Sequence, residues 1–321
     1  MQIDRGAYPE ARTPWDDPVW RSEALGWLDA ALARIGVREN GPRRVRVRPW
    51  SVIVRVDVDE LGPNGLRAAG PVWFKAGAPG AAFEAGLGDA LARWAPGHVL
   101  TPYAVDAARG WSLMPSGGEL LRSVPPGPRE WTEALTQYAD LQRALVGRAE
   151  EMLRLGVPDA RVPALPGIFD AAVAACVGGA DAQRLREFRP RLVGWCEELQ
   201  AIGVPDSLDH ADLHDGQILV GAGRYTFFDW GDANVGHPFF SLLVTLDRAA
   251  ELHGPEVVGR LEDAYLEVWT ADGHALPDLR RAADLARRLS QLTRAGSWAR
   301  LFPDAAHLGI PERAAALLRL L

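Results

Sequence analysis

The densest set of reactive side chains in this 321-residue sequence is the run His210-Ala211-Asp212-Leu213-His214-Asp215-Gly216-Gln217-Ile218-Leu219-Val220. Eight residues after Val220 comes Phe228, followed by Asp229-Trp230-Gly231-Asp232. Asp212 and Gln217 are five residues apart, a short apolar strand pair follows, and Asp229 closes the group. Phosphoryl transfer needs a carboxylate near an attacking hydroxyl, and oxygen ligands that hold Mg²⁺ against phosphates. Asp212 suits the first task, and Gln217 and Asp229 the second. Mg²⁺ keeps several waters and takes few protein ligands, so two oxygen ligands suffice.

The cations carry a second signal. The chain has 34 arginines and one lysine, Lys75, which ends the apolar run Val72-Trp73-Phe74. Where Arg serves almost everywhere, the one Lys is a candidate for a task that Arg cannot perform. A compact ammonium on a thin stem enters a narrow cleft and meets phosphate oxygens as a point charge.

The elements that must position these residues can be read from periodicity. Ser22 to Ile35 predicts an amphipathic helix. Val45, Val47, Val52, Val54, Val56 and Val58 alternate as in strands, and the Gly, Pro and Asn of residues 60–70 predict a turn or hairpin loop. A strand over Val72–Lys75, a glycine-rich loop over Ala76–Gly80 and a helix over Ala81–Trp94 follow. Two short strands are expected at Val99–Val105 and Gly110–Met114. After Pro115-Ser116-Gly117-Gly118 the pattern is helical, near 119–123, 129–153, 166–177 and 181–202. Short strands return at Ile218–Val220 and Tyr225–Phe228, and helices at 239–252, 255–270, 277–295 and 311–320. Strands first and helices afterwards predict an α+β chain: a small β-rich N-terminal lobe with a leading helix (1–114), a hinge (115–118), and a larger helical C-terminal lobe (119–321).

Composition narrows the partners. A net charge of −7 disfavours nucleic acid and anionic membrane surfaces. Cys176 and Cys196 have no metal or disulfide spacing. Met1 to Trp20 lacks an apolar signal core, and no run of about 18 apolar residues appears. A cytoplasmic enzyme, monomeric or homodimeric, is expected.

The pattern His210-x-Asp212-x-x-x-x-Gln217, a hairpin, then Phe228-Asp229-Trp230-Gly231 resembles the aminoglycoside phosphotransferase family over about residues 45–245. The resemblance implies a bilobal protein-kinase-like fold and an enzyme that uses Mg²⁺ and ATP, GTP not excluded. It implies transfer of the γ-phosphoryl group to a hydroxyl of an aminoglycoside, amino sugar, sugar or related small metabolite. It makes Asp212 the catalytic base, and Gln217 and Asp229 the metal ligands. Lys75 becomes the phosphate-binding lysine with Glu84 as its helix partner. The nucleotide would be met by Leu113 and Met114 at the hinge and by Ser51 in the turn Arg48-Pro49-Trp50-Ser51, which stands where a glycine-rich loop would. His210 is expected to pack under the Asp229 loop. His214, Asp215, Asp232 and Trp298 are candidates for substrate or supporting contacts.

The sequence departs from the family in five places: Arg48-Pro49-Trp50-Ser51 for a glycine-rich loop, Gln217 for Asn, Ala211 for Gly, Gly236-His237-Pro238 for Gly-Asp-Pro, and Ser241-Leu242 for Asp-Leu. Two rivals stand beside this reading. A catalytically inactive kinase-like binding protein would not need Asp212, Asp229 and Lys75 together. A metal-dependent hydrolase would use His210-x-Asp212-x-His214-Asp215 as ligands, but leaves Lys75 unexplained. The acids Asp247, Glu251, Glu262, Asp263 and Glu267 on the late helices could receive an amine, but surface solvation is the expected role of most.

Overall fold

The computed structural model describes residues 3–62, 65–124, 127–221, 223–301 and 307–321. Helix α1 (Pro18–Ile35) opens the small lobe. It begins before the predicted Ser22 because the Asp17 side chain caps it, accepting from the Val19 amide at 2.8 Å, with Pro18 at the first helical position. Strands β1 (Val37–Glu39), β2 (Arg44–Val47), β3 (Ser51–Gly62) and β4 (Gly65–Gly77) follow, then α2 (Phe83–Trp94), β5 (Ala104–Asp106) and β6 (Trp111–Met114). The strands form one antiparallel sheet in the order β1-β3-β4-β6-β5, with β2 also paired to β3.

Alternation gives this sheet two unlike faces. Val52, Val54, Val56, Phe74, Ala76 and Leu113 are buried in one apolar cluster with Leu28 and Leu32 of α1, and Trp27 packs on Phe74 and Trp111. Fully burying such a side chain is worth about 1.5–3 kcal/mol, which holds α1 on this face. Arg46, Ile53, Lys75 and Ser112 stand directly across from one another on β2, β3, β4 and β6, on the opposite face.

The large lobe contains β7 (Glu119–Leu120), α3 (Pro128–Ala144), α4 (Ala149–Arg154), β8 (Asp159–Ala160), α5 (Leu165–Cys176), α6 (Gly179–Ile202) and β9 (Ser207–Asp209). The hairpin β10 (Ile218–Gly221) and β11 (Arg224–Phe227) comes next, then β12 (Asn234–Gly236), α7 (Leu242–His253), α8 (Val258–Trp269), α9 (Leu276–Leu301) and α10 (Ile310–Leu318). Its core is a second apolar cluster, which also takes Phe83, Leu87 and Leu91 from α2. Helix α2 thereby packs on the large lobe as well as on β5 of the small sheet. No helix among the described residues is long and apolar enough to cross a membrane.

The α+β class and the two lobes match the sequence reading; several elements do not. Residues 60–70 are largely strand rather than loop. After a register shift between Val58 and Asp59, Asp59 pairs with Ala68 and Glu60 with Arg67, so ladder pairing overrides composition. Positions 63–64, part of that expected loop, lie outside the described residues. Of the strand expected at Val99–Val105 only β5 forms, and Val99 makes an isolated bridge to Phe227. The helix expected near 119–123 is β7 followed by a 3-10 turn, because Glu119 and Leu120 pair with β10. The helix expected over 129–153 breaks at Gly147, whose φ of +85° no right-handed helix accommodates. A second three-stranded sheet, β8-β12-β9, was not anticipated.

Candidate functional site

Strand β4 delivers Lys75 to the face that meets the large lobe. Its Nζ lies 2.6 Å from Glu84 Oε1 on α2 and is also ion-paired with Asp229. Desolvation works against the ammonium, but Asp229 and Glu84 outweigh it and hold Lys75 above its ordinary value. The two carboxylates respond differently. Desolvation raises Glu84 despite Lys75, with the Asp229 charge adding to the rise. Asp229 is held below the usual carboxylate range because Lys75 overcomes the same desolvation. Glu84 also lies against the segment after β11, where a Cβ added at Gly231 would fall 3.3 Å from its Oε2.

The loop between β9 and β10 is anchored from beneath. Asp209 is fully buried and accepts from the Ala211 amide at 2.9 Å, the Ser241 hydroxyl at 2.9 Å and Asn234 Nδ2 at 3.5 Å. Burial still pushes its pKa up to about 6, against those hydrogen bonds. Ser241, where the resemblance expects an acid, is therefore matched by an acid on the facing strand. His210 is also fully buried: its Nε2 lies 3.0 Å from the Phe228 carbonyl and its ring packs on Trp230. Burial lowers its pKa, so the neutral ring braces the Asp229 segment.

Ala211 and Asp229 are the two non-glycine positions with positive φ among the described residues, at +61° and +70°. Left-handed backbone disfavours a Cβ. Its occurrence at both turns marks a locally strained site held by its surroundings.

The remaining loop residues diverge. Asp212 Oδ1 lies 3.2 Å from Arg294 Nη1 of α9, and His214 Nε2 is 3.8 Å from its Oδ2. His214 Nδ1 accepts from the Gly216 amide at 2.9 Å and faces Arg122 Nη2 at 3.1 Å, which leaves the ring proton on Nε2, toward Asp212. Burial lowers the His214 pKa. Asp215 turns away: it is buried and takes Arg248 in a two-point pair at 3.2 Å. With His210 bound to a carbonyl and Asp215 to an arginine, the ligand cluster needed by the hydrolase reading does not assemble.

Gln217 has the feature expected of a cation ligand. Its Oε1 is buried without a hydrogen-bond partner, a condition that costs about 1–3 kcal/mol unless a donor or cation meets it. The Phe228 amide donates to the Gln217 carbonyl at 3.2 Å, which keeps this residue beside the strand end that leads into Asp229. An orphan amide oxygen and a carboxylate make an oxygen donor set that fits Mg²⁺.

Asp232 faces the same region. Burial, with the charges of Asp212 and Asp229, raises it to about 6, against Arg300 and Lys75. It lines a pocket of about 220 Å³ with Trp50, Ala211, Asp212, Arg294, Ser297, Trp298 and Leu301. Trp50 comes from the β2–β3 turn and Trp298 from α9, so both lobes line the pocket. Tyr8 packs on both rings.

The residues expected on the nucleotide side are placed differently from one another. Ser51 is buried at the start of β3, and its carbonyl accepts from the Arg48 amide at 2.8 Å, so it shapes the turn. The Leu113 side chain is fully buried in the small-lobe core and its carbonyl accepts from Tyr103, which leaves Met114, half-buried across from Trp73, as the nearer cleft residue. Gly80, in the glycine-rich loop, lies where an added Cβ would fall 2.3 Å from the Arg300 carbonyl, so the loop can touch α9 only as glycine.

Sequence reading missed Arg294, Arg300, Asp209 and Arg46. Arg300 donates to Asn234 Oδ1 at 3.1 Å and to the Asp232 carbonyl at 2.9 Å. Only Arg46 had a usable signal: counting strand register from Lys75 places it on the same face.

A family model described as a phosphotransferase enzyme family matches residues 43–285. No curated protein matches the chain. Among solved structures, an ethanolamine kinase from Plasmodium vivax is similar with a TM-score of 0.60 and 12% identity, covering 94% of this chain and 89% of that one. A macrolide 2'-phosphotransferase from Brachybacterium faecium has a TM-score of 0.55 and 18% identity, covering 93% and 98%. An amicoumacin kinase in complex with AMP-PNP, Ca²⁺ and Ami has a TM-score of 0.55 and 8% identity, covering 94% and 96%. At such identities these structures speak for a shared fold.

Proposed function

Because this chain belongs to the phosphotransferase enzyme family, we propose that it moves the γ-phosphoryl group of ATP or GTP onto a hydroxyl of a small molecule, with Mg²⁺ as cofactor. The observation that carries the reading is the joining of Lys75, Glu84 and Asp229 across the lobes, within reach of the loop that holds Asp212. The nucleotide analogue and divalent cation in the amicoumacin kinase complex support the same pairing of cofactors.

In this account residues 115–118 act as the hinge, and Lys75, fixed by Glu84, meets the nucleotide phosphates. Gln217 Oε1 and the Asp229 carboxylate hold Mg²⁺, which neutralises phosphate charge when bound. Asp212 orients the acceptor hydroxyl and takes its proton as the new O–P bond forms and the bond to the leaving diphosphate breaks. In a loose transition state the hydroxyl becomes acidic late, so positioning is the larger share of that role. His214 steers the Asp212 carboxylate, and the Trp50–Trp298 pocket receives the acceptor.

The test is acceptor-dependent release of nucleoside diphosphate over a panel of aminoglycosides, amino sugars, sugars and amino alcohols, alongside Mg–ATP binding to wild type and Lys75→Ala. The account expects Lys75-dependent nucleotide binding and at least one productive acceptor. Absence of both overturns it.

A further inference from the structure

The charge around Asp212 is divided between an inner pocket with two acids and one arginine and an outer pocket with two arginines and one acid. Arg294 reaches in from α9 and lines two adjoining pockets. The inner one holds Asp212, Asp232, Trp50 and Trp298. The outer one, about 350 Å³, holds Trp298, Pro311, Glu312, Ala315, Ala316 and Arg319. The outer pocket has one acid, Glu312, whose Oε1 accepts the Tyr8 hydroxyl at 2.8 Å and whose Oε2 is buried without a partner. None of the late-helix acids that the sequence offered to an amine lines either pocket, and Glu251, Glu262 and Asp263 pair with Arg248, Arg287 and Arg280. The outer pocket sets two guanidinium groups, Arg294 and Arg319, against the single carboxylate of Glu312, beside an aromatic ring.

We infer that Arg294 determines acceptor specificity, and that the acceptor is a hydroxylated small molecule carrying a carboxylate or phosphate rather than an amine. The inference rests on the phosphotransferase reading above. A guanidinium fork matches either anion with two parallel charge-assisted bonds. The Arg294–Asp212 contact is a single bond at 3.2 Å between side chains that are each 33% exposed, so it is readily exchanged. An acceptor anion replaces Asp212 as the partner of Arg294. That exchange frees the carboxylate for the hydroxyl and sets the spacing between anion and reacting oxygen. An ammonium in the same place meets like charge.

The experiment compares acceptors on one carbon frame: glucose, glucosamine, gluconate and glucose 6-phosphate. Diphosphate release is followed with wild type, Arg294→Gln and Arg294→Glu. The expected result is highest kcat/KM in wild type for gluconate or glucose 6-phosphate, the two anionic arms separating carboxylate from phosphate. Arg294→Gln should raise KM for the preferred anion about tenfold or more with kcat within about threefold. Arg294→Glu should move preference toward glucosamine. If turnover on this frame is too slow, calorimetric binding of the same four compounds to the Mg–AMP-PNP-loaded enzyme and its Arg294 variants ranks them instead. Preference for glucosamine in wild type, indifference to Arg294→Gln, or an equal fall in kcat with every acceptor overturns the inference. A protein that binds Mg–ATP yet prefers glucosamine contradicts this inference alone. One that neither binds Mg–ATP nor releases diphosphate contradicts the phosphotransferase reading.

Discussion

The Lys75 ammonium at the end of β4 is ion-paired with the Asp229 carboxylate that follows β11, a contact between residues 154 positions apart that joins the two lobes. Lys75→Ala should weaken Mg–nucleotide binding or turnover at least about tenfold, the size of one lost charge-assisted contact. Lys75→Arg should not restore it, because a planar fork does not replace a point charge between Glu84 and Asp229. Nucleotide titrations of both variants check this, and unchanged binding and turnover would refute the role given to Lys75.

Arg46 shares the cleft face with Lys75 through Ile53, and its charge already acts on Asp229. With Arg48-Pro49-Trp50-Ser51 in place of a glycine-rich loop, this arginine is positioned to supply positive charge to the phosphates. Arg46→Ala should raise the nucleotide KM severalfold, with the shift shrinking at high salt, since the side chain is exposed. Steady-state kinetics at two ionic strengths measure it; a nucleotide KM unaffected at low salt contradicts it.

Ala211 carries a φ of +61° just before Asp212. Ala211→Gly should stabilise the fold by about 1 kcal/mol by removing that strain, and Ala211→Val should destabilise it. Thermal melts decide between this and a backbone that tolerates Ala at no cost. The strain also shows why the resemblance's usual residue at this position is Gly.

Asp232 gives a pH dependence. Its pKa is raised to about 6 in the folded chain, so the native state holds this proton more tightly than the unfolded state does. Stability therefore falls as pH rises from the ordinary carboxylate range toward about 6. Asp232→Asn removes that loss: its Tm should exceed wild type by about 2–4 °C near pH 8, and the difference should vanish near pH 4. A constant difference across that range contradicts the assignment.

What the sequence disclosed and what it hid have physical causes. The valine alternation of β3 showed its buried face directly, and the Asp212–Gln217–Asp229 spacing was legible because those residues lie on one loop and one hairpin. Strands β7, β8, β9 and β12 are two or three residues long, too short for periodicity to register. Arg294 meets Asp212 across 82 positions, and Asp209 meets Ser241 across 32; packing of α7 and α9 makes these contacts, and local pattern carries no trace of them. Residues 60–70 misled because their glycines and Pro63 suggested a long loop where the ladder continues.

The most direct test of the central claim is the turnover of Asp212→Asn with an authentic acceptor, identified by wild-type diphosphate release. The substitution keeps shape but removes the carboxylate's charge. The account predicts that kcat falls by roughly 10²–10⁴-fold while Mg–nucleotide affinity stays within about twofold. Turnover within a factor of a few of wild type would contradict it and remove Asp212 from the reaction.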